Sequence, residues 1–140
     1  MNTTPYLVAA TILSLGLSGC ASTNATHETL PMTSPSTQSI ELPRSAGSGN
    51  GKEVSVLLDE RHLKLATIAL RDGTPLPPHT APVPVTIQVL EGEGVIHTGG
   101  KPVTVTRGSL VSLVANEEHE VVPKPGGDML LLVHYLRGAK

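Results

Sequence analysis

Apolar and polar positions along this chain fall into three textures. Residues 6–17 (YLVAATILSLGL) form one dominantly apolar run. It is shorter than the ~20 apolar residues a membrane-spanning helix needs. It fits the apolar core of a secretory signal peptide, so residues 1–19 read as a removed leader. Residues 21–51 show no apolar period, and more than half of them are Ser, Thr, Pro or Gly. Such a stretch buries too little to offset its ordering entropy, so 20–51 reads as a flexible linker. From residue 52 to 138 the texture changes again. Short Val/Leu/Ile/Thr runs at 54–58, 62–70, 83–90, 94–98, 102–106, 110–114, 119–122 and 129–136 alternate with Gly/Pro punctuation. That pattern predicts eight short strands and an all-β domain. Asp72-Gly73 predicts a turn, and Gly99-Gly100 a tight hairpin between 94–98 and 102–106. Alternation over 85–89 places Val85, Ile87 and Val89 on one face and Thr86 and Gln88 on the other.

Composition narrows the partners. The 140 residues carry ten Lys+Arg against twelve Asp+Glu, a net charge of -2. With no basic excess to neutralise a phosphate backbone, nucleic acid is not an expected partner. There are two Tyr, no Phe and no Trp. Tyr6 falls in the leader, so Tyr135 is the one ring left to the mature chain. The core must therefore be aliphatic, and nothing is available to stack on bases. Cys20 is the single cysteine, which excludes an internal disulfide and a cysteine-type zinc site. No Gly-x-Ser-x-Gly elbow occurs, and no catalytic triad is evident.

Cys20 ends the tetrapeptide Leu17-Ser18-Gly19-Cys20, directly after the apolar run. The tetrapeptide resembles the lipobox of bacterial lipoproteins. The resemblance implies a diacylglycerol on the Cys20 thiol, cleavage before it, and acylation of the new amine with a fatty acid such as palmitate. Two or more chains explain a stable anchor, since each buried methylene is worth about 0.8 kcal/mol and one chain alone binds marginally. Ala21 follows where an aspartate would retain an enteric lipoprotein in the inner membrane. The resemblance thus implies the periplasmic face of the outer membrane. A coil as long as 21–51 spans on the order of 30 Å, enough to hold a domain clear of the lipid. His27 reads as a solvated residue of that linker.

Within the third texture, Gly73-Thr-Pro-Leu-Pro-Pro-His79, then Ala81-Pro82, then Val85-Thr-Ile-Gln-Val-Leu-Glu-Gly92 form one motif. Gly100, Arg107-Gly108-Ser109 and His119 approximate a second. Together they resemble the two motifs of small single-domain cupins, over about residues 60–138. The resemblance implies a double-stranded β-helix, the cupin jelly-roll barrel, in a domain covering 52–138. Metal-bearing cupins hold an ion with two His and a Glu from the first motif and one His from the second. By that resemblance His79 and His119 stand at ligand positions. Ala81 stands at the second His position and Val85 at the Glu position, and neither can ligate. Arg107 and Ser109 flank Gly108 where Pro and Asp are usual.

Two imidazoles alone would hold a divalent transition metal weakly, and would lose it on protonation below about pH 6.5. His97 and His134 are the candidates for a third ligand, since alternation alone does not say which face is inside. Ala81, Val85 and Ile87 make an apolar pocket wall. Leu76-Pro77-Pro78 reads as a stiff approach to His79. His62 reads as surface, and Glu91, Glu93, Glu117, Glu118 and Glu120 as solvated. Three functions stay open. One is a barrel that binds a small, largely apolar molecule, without the full metal site. Another is a metal-dependent enzyme of dioxygenase or isomerase type using His79 and His119. The third is an envelope interaction protein, with 54–58 an edge strand able to pair in a homodimer.

Overall fold

The structure is a computed structural model, and it describes residues 37–138. The leader, Cys20, His27 and the linker up to residue 36 lie outside the described residues. Among the described residues the domain is all-β, as expected. Nine strands run in chain order: β1 (Lys52–Asp59), β2 (Leu63–Leu70), β3 (Leu76–His79), β4 (Val85–Glu91), β5 (Glu93–Thr98), β6 (Lys101–Thr106), β7 (Leu110–Leu113), β8 (His119–Pro123) and β9 (Met129–Leu136). They form a five-stranded sheet of order β1-β2-β9-β4-β7 and a four-stranded sheet of order β3-β8-β5-β6. Every pairing is antiparallel.

The ninth strand is β3, which the sequence presents only as a stiff Leu-Pro-Pro segment. Pro77 and Pro78 have no N–H to give a ladder. β3 lies at a sheet edge, where that loss is tolerated. It pairs with β8 through Leu76–Val121 and His79–His119 only. The Gly99-Gly100 hairpin forms as expected, both residues having positive φ (50° and 80°).

The core is aliphatic and layered. On β4, Val85, Ile87 and Val89 point inward, each 2 % exposed or less. They meet Ile68, Leu70, Ile96, Val105, Val121, Met129, Leu131 and Val133. Removing each Leu-sized side chain from water contributes about 1.5–3 kcal/mol. β9 is buried on both faces from Met129 to Val133. Its inner face supplies the barrel, while its outer face carries Leu130, which packs with Ala69, Leu90 and Ala46.

Ala46 corrects the linker reading. Residues 46–51 are not free of the domain, because Arg71 gathers them. Its guanidinium donates to the carbonyls of Ala46 (2.6 and 2.9 Å), Gly47 (3.1 Å) and Asn50. It also pairs with the Glu53 carboxylate at 2.9 Å. The Ala46 N–H donates to Glu91 Oε2 at 2.7 Å, so Glu91 is not merely solvated.

Candidate functional site at the barrel mouth

Cross-strand register stacks the barrel interior in rows. One row runs Asp59–Lys64–Tyr135–Val85–Leu113 across β1, β2, β9, β4 and β7. On the four-stranded sheet a row runs His79–His119–Thr98–Lys101 across β3, β8, β5 and β6. The next row of each sheet is apolar: Ala66–Val133–Ile87–Val111 and Leu76–Val121–Ile96–Val103. Polar chemistry therefore sits in one layer, above an aliphatic plug.

His79 and His119 meet in that layer, with ring centroids 4.2 Å apart and planes tilted by 54°. Their pairing follows from being directly opposed residues on β3 and β8, the closest side-chain relation a sheet offers. Nδ1 of His79 lies 2.8 Å from the Pro77 carbonyl, and Nδ1 of His119 lies 2.9 Å from the Glu117 carbonyl. A carbonyl oxygen can only accept, so each Nδ1 donates. In the neutral ring Nε2 is then a bare acceptor. Both rings are thus held in one tautomer and offer Nε2 to a ligand.

His119 is 4 % exposed. Burial pushes its pKa below the ordinary 6.5 and outweighs the Glu117 carbonyl, which favours the charged ring; the neighbouring His79 lowers it further. As pH falls, the unfolded chain takes up this proton first. The associated stability is complete above about pH 6.5 and is lost as pH falls through the lower folded value. Urea midpoints are expected to fall more between about pH 7.5 and 5.5 in wild type than in His119→Asn. Equal falls would assign the dependence to other groups.

Ala81, Val85 and Ile87 line the cavity under the two rings together with Leu76, Leu131 and Tyr135. They are where the sequence reading places them, but they fill the space. About 30 Å³ remains, room for roughly one water. An apolar ligand inside the barrel, the expectation from that wall, does not fit. The space lies outside, in a cleft of about 270 Å³ bounded by Pro78, His97, Thr98, the Gly99-Gly100 turn, Glu118, His119 and Glu120.

Neither candidate for a third metal ligand reaches the layer. Ile96 points inward, so His97 beside it points out and is exposed. Val133 points inward, so His134 points out, where its Nδ1 meets Thr86 Oγ1 at 3.0 Å. Among the described residues no group of three His, Cys, Asp or Glu side chains is placed to hold an ion. Two imidazoles beside Ala81 and Val85 do not fit the three- or four-ligand centre. Full-length protein offered Fe(II), Mn(II), Ni(II) or Zn(II) and then dialysed is expected to keep far less than one ion per chain. One ion per chain, lost in His79→Ala, would overturn that.

Other expectations resolve locally. His62 is exposed, and Glu93 pairs with Lys124 at the surface. Glu117 is half-buried and accepts from the Val114 N–H at 3.2 Å, so it caps a turn rather than lying free.

The chain matches no protein-family model and no curated protein. Solved structures do match. A cupin superfamily protein from Desulfitobacterium hafniense aligns at TM-score 0.60 and 16 % identity, over 66 % of this chain and 83 % of that one. An RmlC-like cupin from Desulfovibrio desulfuricans aligns at TM-score 0.61 and 20 % identity, over 72 % and 97 %. The fold is the cupin jelly roll. An RmlC-like cupin with a double-stranded β-helix fold from Methanocaldococcus jannaschii agrees, at TM-score 0.61 and 19 % identity, over 72 % and 91 %. In this cupin barrel Lys64 and Tyr135 belong to the polar layer as much as the histidines do, and the sequence reading missed their place there. The available signal was Lys64 itself, in phase with Ala66, Ile68 and Leu70 rather than against them.

Proposed function

We propose that this chain is a lipid-anchored envelope protein whose cupin barrel binds a small polar molecule at its mouth, without the metal centre. The lipobox-like Leu17-Ser18-Gly19-Cys20 supports the anchor, and Ala21 supports the periplasmic face of the outer membrane. The observation that carries the binding reading is the His79–His119 pair. Two rings 4.2 Å apart, each with Nδ1 committed to a main-chain carbonyl, present acceptors over a floor too full to admit a ligand. The ligand is then held at the rim by hydrogen bonds, with an aliphatic layer beneath that excludes water.

Two measurements test this. Labelled palmitate should enter the wild-type chain and not Cys20→Ser; equal labelling would remove the anchor. A thermal-shift screen of small metabolites on the full-length protein in detergent should yield ligands that move the ring ¹⁵N resonances of His79 and His119. Those ligands should be lost in His79→Ala. Ligands that bind while both rings stay silent would place the site elsewhere.

A further inference from the structure

We infer that the ligand of this mouth is a small dihydroxycarboxylate, its carboxylate taken by Lys64 and its two hydroxyls by the two imidazoles. The inference rests on the mouth-binding reading above and names the ligand class. Three observations carry it.

By register the polar layer contains one carboxylate, Asp59 opposite Lys64, and Arg137 already takes it at 2.6 Å. The layer also holds Lys64 and Tyr135 on one sheet and His79, His119, Thr98 and Lys101 on the other. The rim glutamates Glu118 and Glu120 line the outer cleft beside His119, on the side of the rings away from Lys64 in the register. Glu120 is out of phase with inward His119 and Val121 and stands beside outward His97, and Glu118 is exposed. An anion is therefore directed to the Lys64 side of the rings.

Lys64 breaks the pattern of its strand. Leu63 and Leu65 face outward, while Lys64 shares the inward face with Ala66, Ile68 and Leu70. A register that costs two half-exposed leucines to bring a lysine inside violates binary patterning, and such violations mark function more than stability. Its ammonium lies 5.4 Å from the Tyr135 ring centroid. None of the ion pairs among the described residues uses it, and the neighbouring Asp59 is taken by Arg137. Held over the ring, and with the opposed Asp59 engaged by Arg137, Lys64 is a positioned charge for an anion.

The two kinds of partner define a two-handed ligand. Lys64 and the phenol of Tyr135, which burial keeps protonated, are donors and suit a carboxylate. Nε2 of His79 and of His119 are two acceptors and suit two hydroxyls, each donating its one proton to one ring. The ~30 Å³ beneath them matches one hydroxyl in place of one water. A simple carboxylate would leave the imidazoles unmet, and a neutral polyol would leave the lysine unmet.

The test titrates the full-length chain in detergent with glycerate, glycerol and propionate, reading the ring ¹⁵N signals. Glycerate should move both rings and bind at least tenfold more tightly than either of the others. Lys64→Met, which keeps the aliphatic stem over Tyr135, should weaken glycerate at least tenfold and leave glycerol unchanged; Lys64→Arg should recover part of the loss. Unchanged thermal midpoints in both variants confirm that folding is intact. Glycerate binding that Lys64→Met leaves alone, or glycerol binding as tight as glycerate, overturns the ligand class while the mouth site stands. Rings that glycerate does not move overturn the inference as well, and the mouth site itself is then decided by the metabolite screen.

Discussion

Arg71→Met is expected to lower the stability of the domain by about 3 kcal/mol and to release residues 46–51. The Arg71 side chain is 8 % exposed and its planar fork serves three carbonyls of one segment. A methionine fills the aliphatic part of the space and supplies none of the five donors. The Ala46 carbonyl, which accepts twice within the buried part of this contact, loses both bonds; each stranded acceptor costs about 1–3 kcal/mol. The Glu53 pair adds little, because that carboxylate is 54 % exposed and solvent screens it. With the segment gone, Ala46 no longer covers Leu130 and Ala69, so apolar burial falls too. For about 100 ordered residues this corresponds to a thermal midpoint lower by roughly 12–24 °C. Limited proteolysis should cut within 46–51 in the variant and only before residue 46 in wild type. Arg71→Lys should fall between, since one ammonium cannot reproduce a fork. A midpoint within a few degrees of wild type, with 46–51 still protected, would show that β1 and Glu91 hold the segment without Arg71.

The strands were legible because Val, Ile and Leu alternate with polar residues and Gly/Pro clusters end each run. β4 is the clearest case: Val85, Ile87 and Val89 are inward as the period requires. Two kinds of feature were not legible. The first is parity where both faces are partly apolar. His97 and His134 sit on strands whose inward set could be read either way, and only pairing with neighbours fixed them outward. The same ambiguity hid Lys64, whose inward register puts leucines outside. The second is any feature made by long-range hydrogen bonds to main chain. The Arg71 contacts join residues 18 to 25 apart, and nothing in Ser-Ala-Gly-Ser-Gly-Asn-Gly announces an arginine partner. The histidine pair was visible through the motif resemblance. That its floor is filled followed from Ala81 and Val85 only once their side chains were seen to close the cavity.

Gly92→Ala is expected to be more disruptive still, because it stops the chain from changing sheets. β4 ends at Glu91 in the five-stranded sheet, and β5 begins at Glu93 in the four-stranded one. Gly92 alone makes that corner, with φ at +85°. A Cβ there would lie 2.0 Å from the Asp128 carbonyl oxygen and 3.0 Å from Met129 Cα. Both are backbone atoms at the start of β9, whose residues 129–133 are the most buried in the domain. No rotamer relieves the overlap; either β9 shifts or the corner opens. Positive φ alone costs an alanine about 1–2 kcal/mol, and forcing packed backbone apart adds about 1–3 kcal/mol. The sum, about 2–5 kcal/mol, is a large part of the ~5–15 kcal/mol that holds a domain together. Gly100→Ala is the matched control, since its φ is +80° but nothing lies within 4 Å of the added carbon. It should cost only the conformational share. Urea unfolding of the three proteins separates strain from overlap. If Gly92→Ala and Gly100→Ala shift the midpoint equally, β9 gives way at no cost and the corner is not the constraint that the close approach to Asp128 makes it.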